Sequence, residues 1–245
     1  MPVILRDRIA LITGAGSGIG RAIAIALAER GSAVFLVSRN QDRLNEVSQS
    51  IRDKQTDARV WVAPADLCEH GAIERLTDLV EDGAGRLDIL VHCAGVHSSG
   101  AMKNASASKL DELYAANVRA PFALTKAFLP FLTPQKGQIV FINSSAGLVS
   151  KAGVGQFSST QHALRALANA YREELNADGV RVLNVFPGRT ATPRMKALYE
   201  NNGVPYQPNL LMQSEDVAAM VVGALCLPRT AEVTEIHMRP LAKSY

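Results

Sequence analysis

Residues 13–20 read Thr-Gly-Ala-Gly-Ser-Gly-Ile-Gly, a β-branched apolar run leads into them, and a segment of helical period comes after them. Glycine lets the chain turn tightly and lets its backbone approach an anion closely, and the free amides of the helix that starts there point at the same place. Gly14, Gly18 and Gly20, with Ser17 and Ile19 between them, therefore read as a pyrophosphate-binding turn, in the strand, glycines, helix context that this chemistry requires. Other polar or small residues close further apolar runs: Ser38 and Arg39, Asp66, Cys93 to Gly95, Asn143 to Ser145, and Pro187 to Thr192. Ligands bind beyond the carboxyl ends of the strands in open α/β sheets, so these residues form the candidate site.

Seven short runs have the character of strands, at residues 9–13, 33–37, 59–63, 88–92, 138–142, 180–186 and 233–238. Between them apolar residues recur at helical spacing, as at Leu164, Leu167, Ala168, Tyr171 and Leu175, which predicts crossover helices. Runs such as IALIT and QIVFI are apolar at nearly every position, as strands of a parallel sheet covered on both faces must be. The expected fold is α/β, a doubly wound, parallel, seven-stranded sheet of Rossmann-like type, as one domain over residues 1–245. The stretch richest in Gly and Pro, 187–208, sits where a substrate lid would sit, and a lid is expected around 188–213.

Composition excludes several alternatives. The chain carries 26 Lys and Arg against 23 Asp and Glu, a net charge of +3, too little to imply nucleic acid as a partner. The longest apolar stretch, 217–227, falls well short of the roughly 18 residues of a membrane span. Three cysteines, Cys68, Cys93 and Cys226, form no CxxC pair and fit a reducing cytoplasm, and residues 1–8 lack a signal-peptide pattern. His92, Cys93 and His97 lie close in sequence but have no further converging ligands, so no metal is expected.

In its ordered motifs the chain resembles the short-chain dehydrogenase/reductase family over essentially its whole length. The matches are TGAGSGIG, Asp66 after the third strand, His92-Cys93-Ala94-Gly95 where the family has NNAG, Asn117, Ser144, and Pro187-Gly188 followed by Thr192. The resemblance implies a nicotinamide cofactor held by Gly14, Ser17, Gly18, Ile19, Gly20, Ser38, Arg39, Asn40, Asp66, Leu67, Ala94, Gly95, Gln161, Pro187, Gly188 and Thr192. It also implies a homodimer or homotetramer associating through helices at 107–129 and 157–177. The adenosine ribose would lie at the end of the second strand, where an acid would take its 2′-hydroxyl. Here Ser38, Arg39 and Asn40 offer a hydroxyl, a guanidinium and an amide, which suits a 2′-phosphate and favours NADP(H) over NAD(H).

The family's acid is a Tyr thirteen residues after the Ser, with a Lys four residues beyond it on the same helical face. Counted from Ser144, those positions are Phe157 and Gln161. Ser144 and Asn117 remain, but no tyrosine occurs between Gly147 and Asn169. General acid catalysis is worth about 10²–10⁴ in rate, so conventional ketone reduction or alcohol oxidation is expected to be impaired. Among substitutes, His162 points about 100° around the helix from Gln161. His97, just past the Cys93-Ala94-Gly95 turn where a substrate would enter, is the better candidate, though the commoner reading is an exposed loop histidine. Tyr114 either faces the site or, more commonly, packs between helices.

Three readings stay open. One is a reductase of enones or imines, which do not need a proton from that position. Another is an inactive cofactor-binding regulatory or partner subunit, and the third is an engineered inactive variant, since Tyr→Phe and Lys→Gln are silencing replacements.

Overall fold

The computed structural model describes residues 5–242, so Met1–Ile4 of the N-terminal stretch and the last three positions of the expected domain lie outside the described residues. Its centre is a seven-stranded sheet: β1 (Ile9–Thr13), β2 (Ala33–Ser38), β3 (Val60–Pro64), β4 (Ile89–His92), β5 (Gln138–Ile142), β6 (Arg181–Pro187) and β7 (Glu235–Met238). The order is β3-β2-β1-β4-β5-β6-β7 and every pairing is parallel. The chain winds outward from β1 to β3, then restarts on the other side of β1 with β4. That reversal opens a crevice at the carboxyl ends of β1 and β4, where the glycine turn emerges.

Both faces are covered because successive strand residues point opposite ways. Ala10 and Ile12 pack in one layer with Ile23 and Leu27 of α1 (Gly18–Ala28), Leu44 of α2 (Gln41–Lys54), and Val217 and Val221 of α8 (Ser214–Leu225). Ile9 and Leu11 pack in the other with Leu76 of α3 (Ala72–Ala84), Leu124 and Phe128 of α5 (Ala120–Leu132), and Leu164 and Ala168 of α6 (Gly155–Leu175). Phe35, Phe128, Phe141 and Phe186 are among the largest fully buried side chains, each worth about 1.5–3 kcal/mol in apolar burial.

The expected single helix over residues 107–129 is divided. It comprises α4 (Ala107–Tyr114), a π-helical turn at Ala115–Arg119, and α5, which begins with Pro121 in its first turn. Residues 188–213 carry α7 (Pro193–Asn201). The two ends of this segment are tied together: Ala191 N donates to Met212 O at 2.7 Å, and Met212 N to Arg189 O at 3.2 Å. It is thus a loop closed at its stem. Arg189 reaches back over the Tyr199 ring, which meets Tyr206 edge-on. Among the described residues no helix is long and apolar enough to cross a membrane.

Candidate active site

Thr13 closes β1 and organises the turn beyond it. Its Oγ1 accepts from the amides of Cys93 and Ala94, each at 3.0 Å, and donates to Val91 O at 3.2 Å. The strand ends on either side of the crevice are thereby joined. Gly14 comes next, with φ +68°, and a Cβ there would stand 2.9 Å from both Ala94 N and Cys93 O. A Cβ on Gly20 would overlap the Gly14 carbonyl oxygen, so neither position admits a side chain. Ser17 is the N-cap residue of α1, yet its side chain makes no capping hydrogen bond. The first-turn amides therefore take no acceptor from the side chain best placed to supply one.

This is the local geometry that suits a dinucleotide's diphosphate, and the glycines form a cradle that Cβ atoms would fill. Around it the structure gathers the other predicted residues at the same end of the sheet. Ile19 packs partly buried against the core layer beneath the turn. Ser38 ends β2, and Arg39 beyond it is exposed and lies 3.9 Å from the Asp66 carboxylate. Asn40 caps α2, its Oδ1 accepting from Arg43 N at 2.9 Å, so the side-chain oxygen is committed and the amide hydrogens remain. Asp66 accepts from Cys68 N at 3.0 Å, which shapes the turn carrying Leu67. Gly188 N donates to Met238 O at 2.8 Å, holding the Pro187-Gly188 corner to β7. Thr192 caps α7 through Oγ1, and its methyl lies 3.0 Å from where a Gly18 Cβ would be.

The second half of the site is built by Asn117 in the π turn, 2% exposed. Its Oδ1 accepts from Val96 N at 2.8 Å, and its Nδ2 donates to Val96 O at 2.9 Å and to Thr160 Oγ1 at 3.1 Å. Both backbone groups of Val96 are held, and the neighbouring residue, His97, is aimed at α6. Ser144 N donates to Asn143 Oδ1 at 2.7 Å, and Asn143 Nδ2 to Gln161 O at 3.0 Å, which fastens the β5 loop to the same helix. Ser144 Oγ accepts from Ala146 N at 3.2 Å. Gln161 is buried, and its Nε2 makes a long contact, 3.4 Å, with Thr160 Oγ1.

His97 departs from the expectation of an exposed loop residue: it is half-buried, and its ring packs on Phe157. The hold that Asn117 keeps on Val96 is the cause. Burial lowers the His97 pKa from its ordinary 6.5, and the Arg194 charge lowers it further, so the ring is neutral at neutral pH. Tyr114 also departs from expectation, being exposed at 38% rather than packed between helices. His162 is turned outward, its Nδ1 2.9 Å from Ser158 O within its own helix. Tyr171 donates to Phe122 O at 3.2 Å, and burial, with Glu174, raises its pKa to about 12.

Burial raises the Cys93 thiol to about 12 and lowers the His92 imidazole to about 3, so both are uncharged components of the floor. Among the described residues no three His, Cys, Asp or Glu side chains converge as metal ligands would. Sequence reasoning misses two features: the organising role of Thr13 and the inward reach of Arg194, which donates to Gly95 O at 2.5 Å. For Thr13 the signal is its place at the strand end before the glycines. For Arg194 the sequence shows a cation on the lid segment but not its partner, which lies 99 residues away.

Known proteins resemble this chain in sequence and fold. An uncharacterized oxidoreductase of Staphylococcus epidermidis is 30% identical over 238 residues, spanning 97% of this chain and 99% of that protein. The alcohol dehydrogenase of the archaeon Thermococcus sibiricus, solved with 5-hydroxy-NADP, superposes with TM-score 0.87 at 27% identity, covering 98% of this chain and 100% of that one. The L-sorbose reductase of Gluconobacter frateurii, solved with NADPH and L-sorbose, gives TM-score 0.88 at 26% identity, covering 97% of each chain. The family model described as short chain dehydrogenase matches residues 8–203, a span that runs from the start of β1 through the glycine turn, Asn117, Ser144 and α7. With strand order, glycine turn and whole-length relatives in agreement, the chain belongs to the short chain dehydrogenase family.

Proposed function

We propose that the protein is an NADP(H)-preferring oxidoreductase whose conventional ketone and alcohol chemistry is suppressed by Phe157 and Gln161, and whose substrates are enones or imines. The cofactor half rests on the Thr13–Gly20 cradle and on relatives solved with NADPH or 5-hydroxy-NADP. Gly14, Ser17, Gly18, Ile19 and Gly20 would hold the diphosphate, and Ser38, Arg39 and Asn40 the 2′-phosphate. Asp66, Leu67, Ala94 and Gly95 would line the adenosine and ribose path, with Gln161, Pro187, Gly188 and Thr192 at the nicotinamide end. The reduced nicotinamide, when bound, supplies a hydride.

The substrate half rests on one observation: the Phe157 ring is met by the His97 imidazole, a group whose pKa burial lowers. Phe157 has no proton to give, and Gln161 has no charge with which to lower a neighbour's pKa. Losing a general acid costs about 3–5 kcal/mol, the equivalent of its 10²–10⁴ in rate. A conjugated enone spreads charge to a more distant oxygen, and an iminium carbon already carries it, so neither depends on that acid. Ser144 would orient the polar end of such a substrate, Asn117 would keep the His97 wall in place, and residues 188–213 would act as the lid. A pair of chains meeting through α5 and α6 belongs to the same reading, with Phe122 standing 45% exposed beside Tyr171.

The test is NADPH binding by fluorescence titration, followed by turnover on matched ketones, enones and imines. Turnover confined to the enones or imines is expected. Tight binding with no turnover on any of them would instead favour a cofactor-holding partner subunit, and rapid ketone reduction would overturn the substrate assignment.

A further inference from the structure

One positive charge in the crevice has no part in the function proposed above. Arg194 stands in α7, on the stem-closed segment, yet its Nη2 reaches across to the Gly95 carbonyl at the end of β4. A single side chain thus joins the roof of the crevice to its floor. Arg194 is exposed as a residue, while burial is the main cause of its lowered pKa. Cys93 opposes that shift, and Arg39, at the β2 rim, adds to it by repulsion. Two guanidinium groups therefore bear on one crevice, and Asp66 is the acid beside Arg39.

The roof and the glycine turn are also in contact. The Thr192 methyl, two residues before Arg194, lies against Gly18 in the first turn of α1. That helix begins with a Ser17 that does not cap it. The Arg194 charge above and a helix start that Ser17 leaves uncapped below define a place for an anion that both can grip.

We propose that Arg194 is the second jaw of the diphosphate site, exchanging the Gly95 carbonyl for diphosphate oxygens and so fastening residues 188–213 over a bound dinucleotide. A diphosphate oxygen is a charged acceptor and a stronger one than a neutral carbonyl, so the exchange is downhill. The assignment rests on the nicotinamide reading above and goes beyond it, because it makes lid closure a consequence of the diphosphate rather than of the substrate.

Two probes separate the phosphates. ADP-ribose carries the diphosphate without a 2′-phosphate, and adenosine 2′-monophosphate carries the reverse. By calorimetry, Arg194→Gln is expected to weaken ADP-ribose and NADPH by about ten- to hundredfold, the range for a charged hydrogen bond. Adenosine 2′-monophosphate should stay within about twofold, and Arg194→Lys should recover part of the loss by restoring the charge. Hydrogen exchange across 188–213 should slow when ADP-ribose is added to the unaltered chain and should not in Arg194→Gln. Unchanged ADP-ribose affinity in Arg194→Gln, or equal loss of both probes, would overturn the latch while leaving the cofactor reading intact. If the unaltered chain bound neither probe nor NADPH, the cofactor reading itself would fall, and the latch with it.

Discussion

The rings of His97 and Phe157 lie 4.6 Å apart, centre to centre, inclined at 53° to one another. Such a tilted pair falls within the favourable range of aromatic contacts. It exists because Asn117 grips both backbone groups of Val96, the residue before His97. On the function proposed above, Phe157 stands where a proton donor would be. Here that position faces an imidazole whose burial keeps it uncharged.

Restoring the donor should restore the chemistry. Phe157→Tyr combined with Gln161→Lys is expected to raise ketone reduction by about 10²–10⁴, the usual worth of a general acid. Phe157→Tyr alone should gain less, since Gln161 brings no charge to lower the tyrosine pKa. Rates of NADPH consumption on a ketone panel decide it, and no gain in the double variant would mean that Phe157 does not occupy the donor position.

Cofactor choice should reverse at the β2 rim. Arg39→Asp replaces a cation that can pair with a 2′-phosphate by an anion that repels it and can take a 2′-hydroxyl. NADPH affinity is expected to fall about ten- to hundredfold, as for loss of a charged hydrogen bond, while NADH affinity rises. Fluorescence titration of both cofactors measures the ratio; an unchanged ratio would reduce Arg39 to a surface residue paired with Asp66.

The glycines differ in what they tolerate. Gly20→Ala forces a Cβ into the Gly14 carbonyl and should cost about 1–3 kcal/mol or more, with loss of NADPH binding. Gly223→Ala, inside α8 with nothing within 4 Å of the new carbon, should instead add roughly 0.5–1 kcal/mol through helix propensity. Urea denaturation of the two variants should move in opposite directions.

Acid should weaken the fold through His92. Its ring is buried, stacked 4.7 Å from Phe141 and 2.8 Å from Thr125 Oγ1, and burial lowers its pKa from 6.5 to about 3. Between those values the unfolded chain binds the proton and the folded chain does not. Stability is therefore full above about pH 6.5 and declines as pH falls toward 3, by a total on the order of a few kcal/mol. His92→Asn should flatten that acid limb in melts run between pH 7 and pH 4, and an unaltered slope would assign it to other groups.

The sheet is legible in the sequence because period and composition are local. Runs such as Ile9–Thr13 and Gln138–Ile142 are apolar on both faces, which only a covered parallel sheet accommodates. The glycine turn is legible for the same reason, since its chemistry lies in eight consecutive residues. The environment of His97 is not, because it depends on Asn117, a residue in a π turn that interrupts an apparently continuous helix. Arg194 is out of reach too: a solvent-facing helix residue and one that turns inward to a distant carbonyl have the same local pattern.

Asp88 gives the crevice a fixed gauge. Buried just before β4, its carboxylate takes Arg8 Nη1 at 2.6 Å and the Ile9 amide of β1 at 3.0 Å, while Thr13 ties the same two strands at their other ends. The pair is pinned top and bottom, so the distance from the glycine turn to Ala94 is set by the scaffold rather than by whatever enters. Adaptation to new ligands should then be found in the movable upper half, from Gly188 onward. Changes at Asp88 or Thr13, though neither need touch a ligand, would detune every ligand alike.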